Sequence, residues 1–285
     1  MRLRCHQAAA IYRELGDAQA EGAVLHTLGY QEYDLGELNA SAEAFGRSLE
    51  IARVYGHRQS EATALNALGR IHAMRGAYEP ALAELTRSVE LYEDLGFEYG
   101  TAFVLNWRGQ ALVAAGDLAA GRADLERSLE ILTAGGHPMA RTNALAELGW
   151  ARHLAGDTEG VRMLEQALAN SREIEEDSTE EIDALVLLGR AALDENDPRG
   201  ALGYLGRALS GARATRRLYA QAYALDGIGR CHEVLGDRET ARENLREAVA
   251  LYRRMRLAEL DEAEARLAAV ENSAGPGPVP TPTRR

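Results

Sequence analysis

A glycine recurs every 40 residues along this 285-residue chain, at Gly29, Gly69, Gly109, Gly149, Gly189 and Gly229. A leucine stands four residues before each, from Leu25 and Leu65 through Leu105, Leu145 and Leu185 to Leu225. Seven residues after the first glycine comes a second, at Gly36, Gly76, Gly116, Gly156 and Gly236, with Asn196 as the departure. A fixed period of this length constrains the fold more than any local signal. Each unit is one supersecondary element that cannot bury its apolar face alone, so stacked units share a continuous core.

The period divides into two helices. The first helix of each unit is expected from about Gly22, Ala62, Ala102, Thr142, Ile182 and Ala222 to the second glycine. The second helix carries apolar pairs four residues apart, Phe45 and Leu49, Leu85 and Val89, Leu125 and Leu129, Leu164 and Leu168, Leu205 and Leu209, Leu245 and Val249, which places each pair on one helical face. Small residues at Ser48, Ser88, Ser128, Ala167, Ala208 and Ala248 mark where helices approach closely. A glycine inside a helix costs about 0.8–1 kcal/mol relative to alanine. Six of them therefore cost roughly 5 kcal/mol, comparable to the net stability of a whole domain. Close contact between the two helices of a hairpin, which a side chain would block, is the expected compensation.

The chain is thus predicted to be an all-α, right-handed superhelical solenoid of antiparallel helix hairpins. Residues 1–17 read as an orphan second helix, with Cys5, Ala8, Ile11, Tyr12 and Leu15 on one stripe. Such a half-repeat exposes apolar surface toward a partner or an N-terminal module of a longer protein. Residues 18–257 hold six hairpins, and residues 258–272 a capping helix with Leu260, Ala263, Leu267 and Val270 inward. Residues 273–285 form a Gly/Pro-rich tail, expected to be disordered.

Composition excludes several function classes. The net charge of −12 disfavours direct nucleic-acid binding, which needs a basic face. No apolar run approaches a membrane span, and the start Met1-Arg2-Leu3-Arg4-Cys5-His6 lacks the core of a secretory signal. Two distant cysteines, Cys5 and Cys231, point to a reducing cytoplasm. All 32 basic residues are arginine. Without lysine there is neither a phosphate-binding P-loop nor a Schiff-base amine.

The phrase Leu65, Leu68-Gly69, His72, Gly76, Ala81, Leu85, Ser88 resembles the tetratricopeptide repeat, in phase over six units and with a period longer than the usual 34 residues. Ala224-Leu225-Asp226-Gly227-Ile228-Gly229-Arg230, Leu235-Gly236-Asp237 and Ala248-Val249-Ala250-Leu251-Tyr252-Arg253-Arg254 are similar to the C-terminal arrays of actinobacterial SARP-type and STAND-type (NB-ARC) regulators. The resemblance implies an interaction or regulatory region that senses or holds partners. Neither a DNA-binding nor an NTPase module is present in this sequence.

In tetratricopeptide arrays the first helices line the concave face, and the repeat selects the residues placed there. Asn66, Arg70, Asn106 and Gln110 make a polar strip able to hydrogen-bond an extended peptide. Arg70, Arg190 and Arg230 offer guanidinium forks to acidic groups, and Phe103, Trp150 and Tyr223 can anchor side chains. Against this stands the plainer reading that such arginines pair with a glutamate one turn away. Trp107 reads as a packing residue, as do His72 and His232 at one repeat position. The acidic run Glu173, Glu175, Glu176, Asp177, Glu180, Glu181 and Asp183 reads as a solvated loop.

No His-Glu-x-x-His motif, zinc spacing, cofactor motif or nucleophile constellation occurs in the sequence. The reading is a cytoplasmic protein- or peptide-binding scaffold of a bacterial regulator, not an enzyme and with no cofactor. A small-molecule effector sensor is the first alternative, and an enzyme using the concave cleft the second.

Overall fold

The computed structural model describes residues 2–174 and 178–272. These form fourteen α-helices and no strand. Helix α1 (Arg2–Leu15) precedes six antiparallel hairpins: α2 (Ala18–Asp34) with α3 (Leu38–Val54), α4 (Arg58–Met74) with α5 (Tyr78–Asp94), and α6 (Glu98–Ala114) with α7 (Leu118–Ala134). Then come α8 (Pro138–Leu154) with α9 (Glu159–Ile174), α10 (Thr179–Asp194) with α11 (Pro198–Ala214), and α12 (Leu218–Val234) with α13 (Arg238–Met255). Helix α14 (Leu260–Asn272) ends the described chain. The stretch 273–285 and the acidic residues Glu175, Glu176 and Asp177 lie outside the described residues.

The first helix of each hairpin begins three or four residues earlier than the apolar pattern indicates, at Ala18 rather than Gly22 and at Arg58 rather than Ala62. The reason is that the opening turn is solvent-facing, as at Arg58, Gln59 and Ser60, so it carries no apolar periodicity. Two of these starts are capped, Asp17 and Ser178 accepting backbone N–H groups three residues on for α2 and α10, while Asp117, Asp197 and Asp237 do the same for the second helices α7, α11 and α13, each serving a donor that the helix leaves unpaired.

The backbone also beats at half the sequence period. A left-handed residue ends helix after helix at 20-residue steps, from Gly16, Gly36 and Gly56 to Gly236. Asn196 takes the same conformation at φ 61°, and so do Arg216 and Arg256 at 59° and 56°. Asparagine tolerates this region better than other side chains, which accounts for the one missing turn glycine.

The mid-helix glycines have the role the energetics demand. A Cβ on Gly109 would lie 2.7 Å from Leu125 Cγ and 3.0 Å from the Gly121 carbonyl oxygen, so α6 and α7 meet with no room for a side chain. Ser88 and Ser128 donate from Oγ to the carbonyls of Ala62 and Ala102, each at 2.7 Å. They do more than stay small: each ties the second helix to the first by a buried hydrogen bond.

Neighbouring hairpins are also joined by ion pairs. Glu21 accepts from Arg13 and Arg47, each at 2.9 Å, and Glu181 accepts from Arg172 and Arg207. Glu181 is buried and Asp183 lies half-buried within α10, so this part of the acidic run is built into hairpin packing rather than into a solvated loop. His72 and His232 likewise sit half-exposed beside Glu84 and Asp237, at 2.7 and 3.3 Å, because their repeat position faces a carboxylate and not the core. On α1, Ile11 and Leu15 are exposed, while Ala9 is buried.

The superhelix comes round onto itself. The corner after α13 returns to the first two hairpins, where the Ala258 N–H donates to the Met74 carbonyl at 3.0 Å. Arg254 donates to the Leu35 carbonyl at 2.8 Å and to Glu37 at 2.9 Å. The turn glycine Gly36 is close-packed against Leu218 and Met255. The first helices of the hairpins therefore face an enclosed interior.

Candidate functional site on the inner wall

The interior is a cavity in two lobes that share Tyr33, Arg70, Met74, Trp107, Asn143, Asp183 and Tyr219. The wide lobe measures about 720 Å³ and the narrow one about 290 Å³. Both volumes are of the size that small ligands or a short peptide segment occupy. A broader depression of about 790 Å³, lined by Gly22, His26, Arg58 and Thr63 among others, opens at the first two hairpins and gathers no comparable cluster of charged groups.

Of the nine residues singled out from the sequence, Arg70, Gln110, Trp150, Arg190 and Tyr223 line the narrow lobe. Arg70, Phe103 and Asn106 line the wide one. Asn66 and Arg230 line neither: Asn66 is buried, and the Arg230 guanidinium acts on Asp226 of the same helix. The amide strip is thus partly spent on structure, since Asn106 Nδ2 donates to Asn143 Oδ1 at 2.7 Å across neighbouring hairpins.

Two arginine–tryptophan stacks organise the wall. The Arg70 guanidinium carbon lies 3.9 Å from the centre of the Trp107 ring and 5.0 Å from that of Tyr33. The Arg190 carbon lies 4.3 Å from Trp150 and 5.9 Å from Tyr223. Stacking on an aromatic face holds the guanidinium plane while leaving its N–H edge to other partners. Trp107 is therefore a wall residue as well as a packing one. Neither Arg70 nor Arg190 forms an ion pair with a glutamate one turn away.

Carboxylates interleave with the cations. Asp183 accepts from the Tyr219 hydroxyl at 3.0 Å and from Arg217 at 3.2 Å. Burial pushes its pKa up against the pull of Arg217. Tyr223 donates to Glu259 at 2.5 Å, and burial, then the Glu259 charge, holds the phenol well above its ordinary range. Glu147, on α8, lines the narrow lobe without a hydrogen-bond partner among the described residues. Burial, reinforced by the Asp183 carboxylate and opposed by Arg190, pushes its pKa to about 8. At neutral pH it is chiefly a neutral acid.

Glu147 is the residue the sequence reading missed. It stands two before Gly149, and the equivalent row is Thr27, Ala67, Trp107, Glu147, Leu187 and Gly227. A lone ionisable residue in an otherwise uncharged row was the available signal. Among the described residues no group of His, Cys, Asp and Glu side chains is arranged to hold a metal ion, and none of their helices is long and apolar enough to cross a membrane.

Residues 20–94 match the tetratricopeptide repeat family model. No curated protein matches the sequence. Among solved structures, the apo form of RapI is 13% identical with a TM-score of 0.66, covering 89% of this chain and 98% of its own. A Rap protein complexed with competence and sporulation factor is 18% identical with a TM-score of 0.62, over 88% of this chain and 70% of that one. The STAND protein with a tetratricopeptide repeat sensor from Pyrococcus horikoshii is 17% identical with a TM-score of 0.59, over 87% of this chain and 38% of that one. Identities this low establish shared architecture alone. In fold, with the repeat signature matched over residues 20–94, the chain is a tetratricopeptide-repeat array.

Proposed function

We propose that the chain is a polypeptide-binding scaffold, the interaction region of a cytoplasmic bacterial regulator, whose inner wall receives an extended peptide. The observation that carries this reading is the convergence of Arg70, Phe103, Trp107, Trp150, Arg190 and Tyr223, from five successive first helices, on one cavity. Aromatic and arginine side chains are the groups that dominate binding energy at protein interfaces. Shallow rings and planar cations give anchoring area with few rotamers to freeze, and Asn143 and Gln110 add amide groups for a peptide backbone. A Rap protein of similar fold is described in complex with competence and sporulation factor, which is a parallel for an array of this kind holding a ligand. Resemblance to actinobacterial regulators supplies the regulatory setting.

The narrow lobe, at about 290 Å³, also favours a second reading in which a small effector molecule is the ligand.

The test is selection of binders from a random-peptide library on the full chain, followed by affinity measurement on Arg70→Ala and Phe103→Ala. Each variant is expected to bind selected peptides about tenfold more weakly or worse, as loss of an anchoring residue does. Undiminished binding to both variants moves the site off the inner wall.

A further inference from the structure

We propose that Arg190 and Glu147 together form a receptor for a single carboxylate group carried by the ligand. This rests on the inner wall being the binding surface, and it assigns the chemistry of one end of that surface.

Most ionisable groups of the narrow lobe are already engaged. Asp183 is held by Arg217 and Tyr219, Glu259 by Tyr223, and Arg70 donates to the Tyr33 hydroxyl at 3.3 Å. Arg190 has no hydrogen bond or ion pair among the described residues, and Glu147 has none either. Both open onto the same lobe. Trp150 stacks on Arg190 with its ring centre 4.3 Å from the guanidinium carbon, which holds the plane and leaves the N–H edge to other partners.

The two groups share the ability to donate. A guanidinium has donors only, and a carboxyl that keeps its proton donates through O–H. Their common complement is a group that only accepts, and the planar fork of arginine matches a carboxylate in bidentate fashion. Charge selects between the candidate anions. Arg190 is the cation of the narrow lobe with neither a hydrogen bond nor an ion pair among the described residues, whereas Arg70 donates to the Tyr33 hydroxyl. Arg190 meets one negative charge; a phosphate dianion would bring a second into a lobe that already holds the Asp183 and Glu259 side chains.

The groups that act on Glu147 are Asp183 and Arg190 of α10. Arg217 and Arg70 act in turn on Asp183, and Tyr223, bonded to Glu259, has its ring centre 5.9 Å from the Arg190 guanidinium carbon. As Glu147 loses its proton it would present a carboxylate to a carboxylate, so affinity should fall as pH rises past about 8.

A carboxylate could come from a peptide or from a free small acid, and the assay separates them. The chain contains two tryptophans, and both line the cavity, so intrinsic emission reports on the site. The full chain is titrated with glutarate, with inorganic phosphate, and with tetra-alanine as free acid and as C-terminal amide, up to about 10 mM. Saturable change is expected with the acids and not with the amide. Arg190→Gln should weaken it by about tenfold or more, and Arg190→Lys, which keeps charge but not the fork, by less. Glu147→Gln keeps an N–H donor, so it should retain affinity at pH 6.5 and abolish the loss of affinity between pH 7 and pH 9. Response to glutarate alone would make the ligand a small acid, leaving the receptor in place and removing the peptide. Equal binding of acid and amide, tighter binding of phosphate, indifference to both Arg190 variants, or no response to any probe would overturn the receptor; equal binding of acid and amide would leave the peptide reading standing.

Discussion

Replacing Glu147 by glutamine should stabilise the protein at alkaline pH and change little at acid pH. The unfolded chain releases this proton near pH 4.5, while the folded chain holds it to about 8. An acid whose folded-state pKa is raised contributes fully below its unfolded value, and that contribution is lost as pH rises through the folded value. Each pH unit in that window is worth about 1.4 kcal/mol, so wild type forgoes roughly 4–5 kcal/mol by pH 8. Water and ions reaching the cavity reduce this, so the observable gap is expected at about 2–4 kcal/mol. Glutamine has the shape of the protonated acid and no proton to lose. Urea denaturation followed by circular dichroism, on both proteins at pH 5 and pH 9, isolates the effect because every other titrating group is common to both. A stability difference between variant and parent that is the same at the two pH values would refute a proton held by burial in the cavity.

The same contacts yield further expectations. Gly109→Leu should cost about 3 kcal/mol or more, well beyond any gain in helix propensity, because overpacking forces α6 from α7; an unaltered thermal melt contradicts this. Arg216→Gly should gain about 1 kcal/mol, since a left-handed arginine is strained and glycine is not, and should raise the melting temperature. Arg254→Ala removes an exposed pair worth less than about 1 kcal/mol, so stability should hold. By small-angle scattering, though, the ring should expand as the corner after α13 leaves Leu35 and Glu37; an unchanged radius of gyration would mean that Ala258 and Gly36 keep the ring shut alone.

Repetition made the hairpins legible. A residue that must be glycine in every unit, as Gly69 and Gly109 must be where leucines of the next helix press on the backbone, leaves a trace that survives all other variation. The helix starts were less legible because exposed first turns, as at Arg58, Gln59 and Ser60, carry no apolar periodicity. The inner wall was legible by row: the positions of Arg70, Gln110, Trp150 and Arg190 lie one after the repeat glycine, and all four line the narrow lobe. Asn66 and Arg230 occupy matching rows but line neither lobe, Asn66 being buried in the packing of the second hairpin and the Arg230 guanidinium acting on Asp226. Glu147 escaped because its significance is environmental. Nothing in Ala146-Glu147-Leu148 indicates burial beside Asp183; that depends on two neighbouring hairpins and on the last returning to the first.

The central claim is that the enclosed face of the coil, and not its outer helices, receives the polypeptide. A selected peptide carrying a photoreactive group tests it most directly, with the crosslinked residues identified by mass spectrometry. The account predicts labels on α4, α6, α8 and α10, at or beside Arg70, Phe103, Trp107 and Trp150. Labels confined to the second helices, at exposed positions such as Arg87 of α5 or Glu239 of α13, would contradict it.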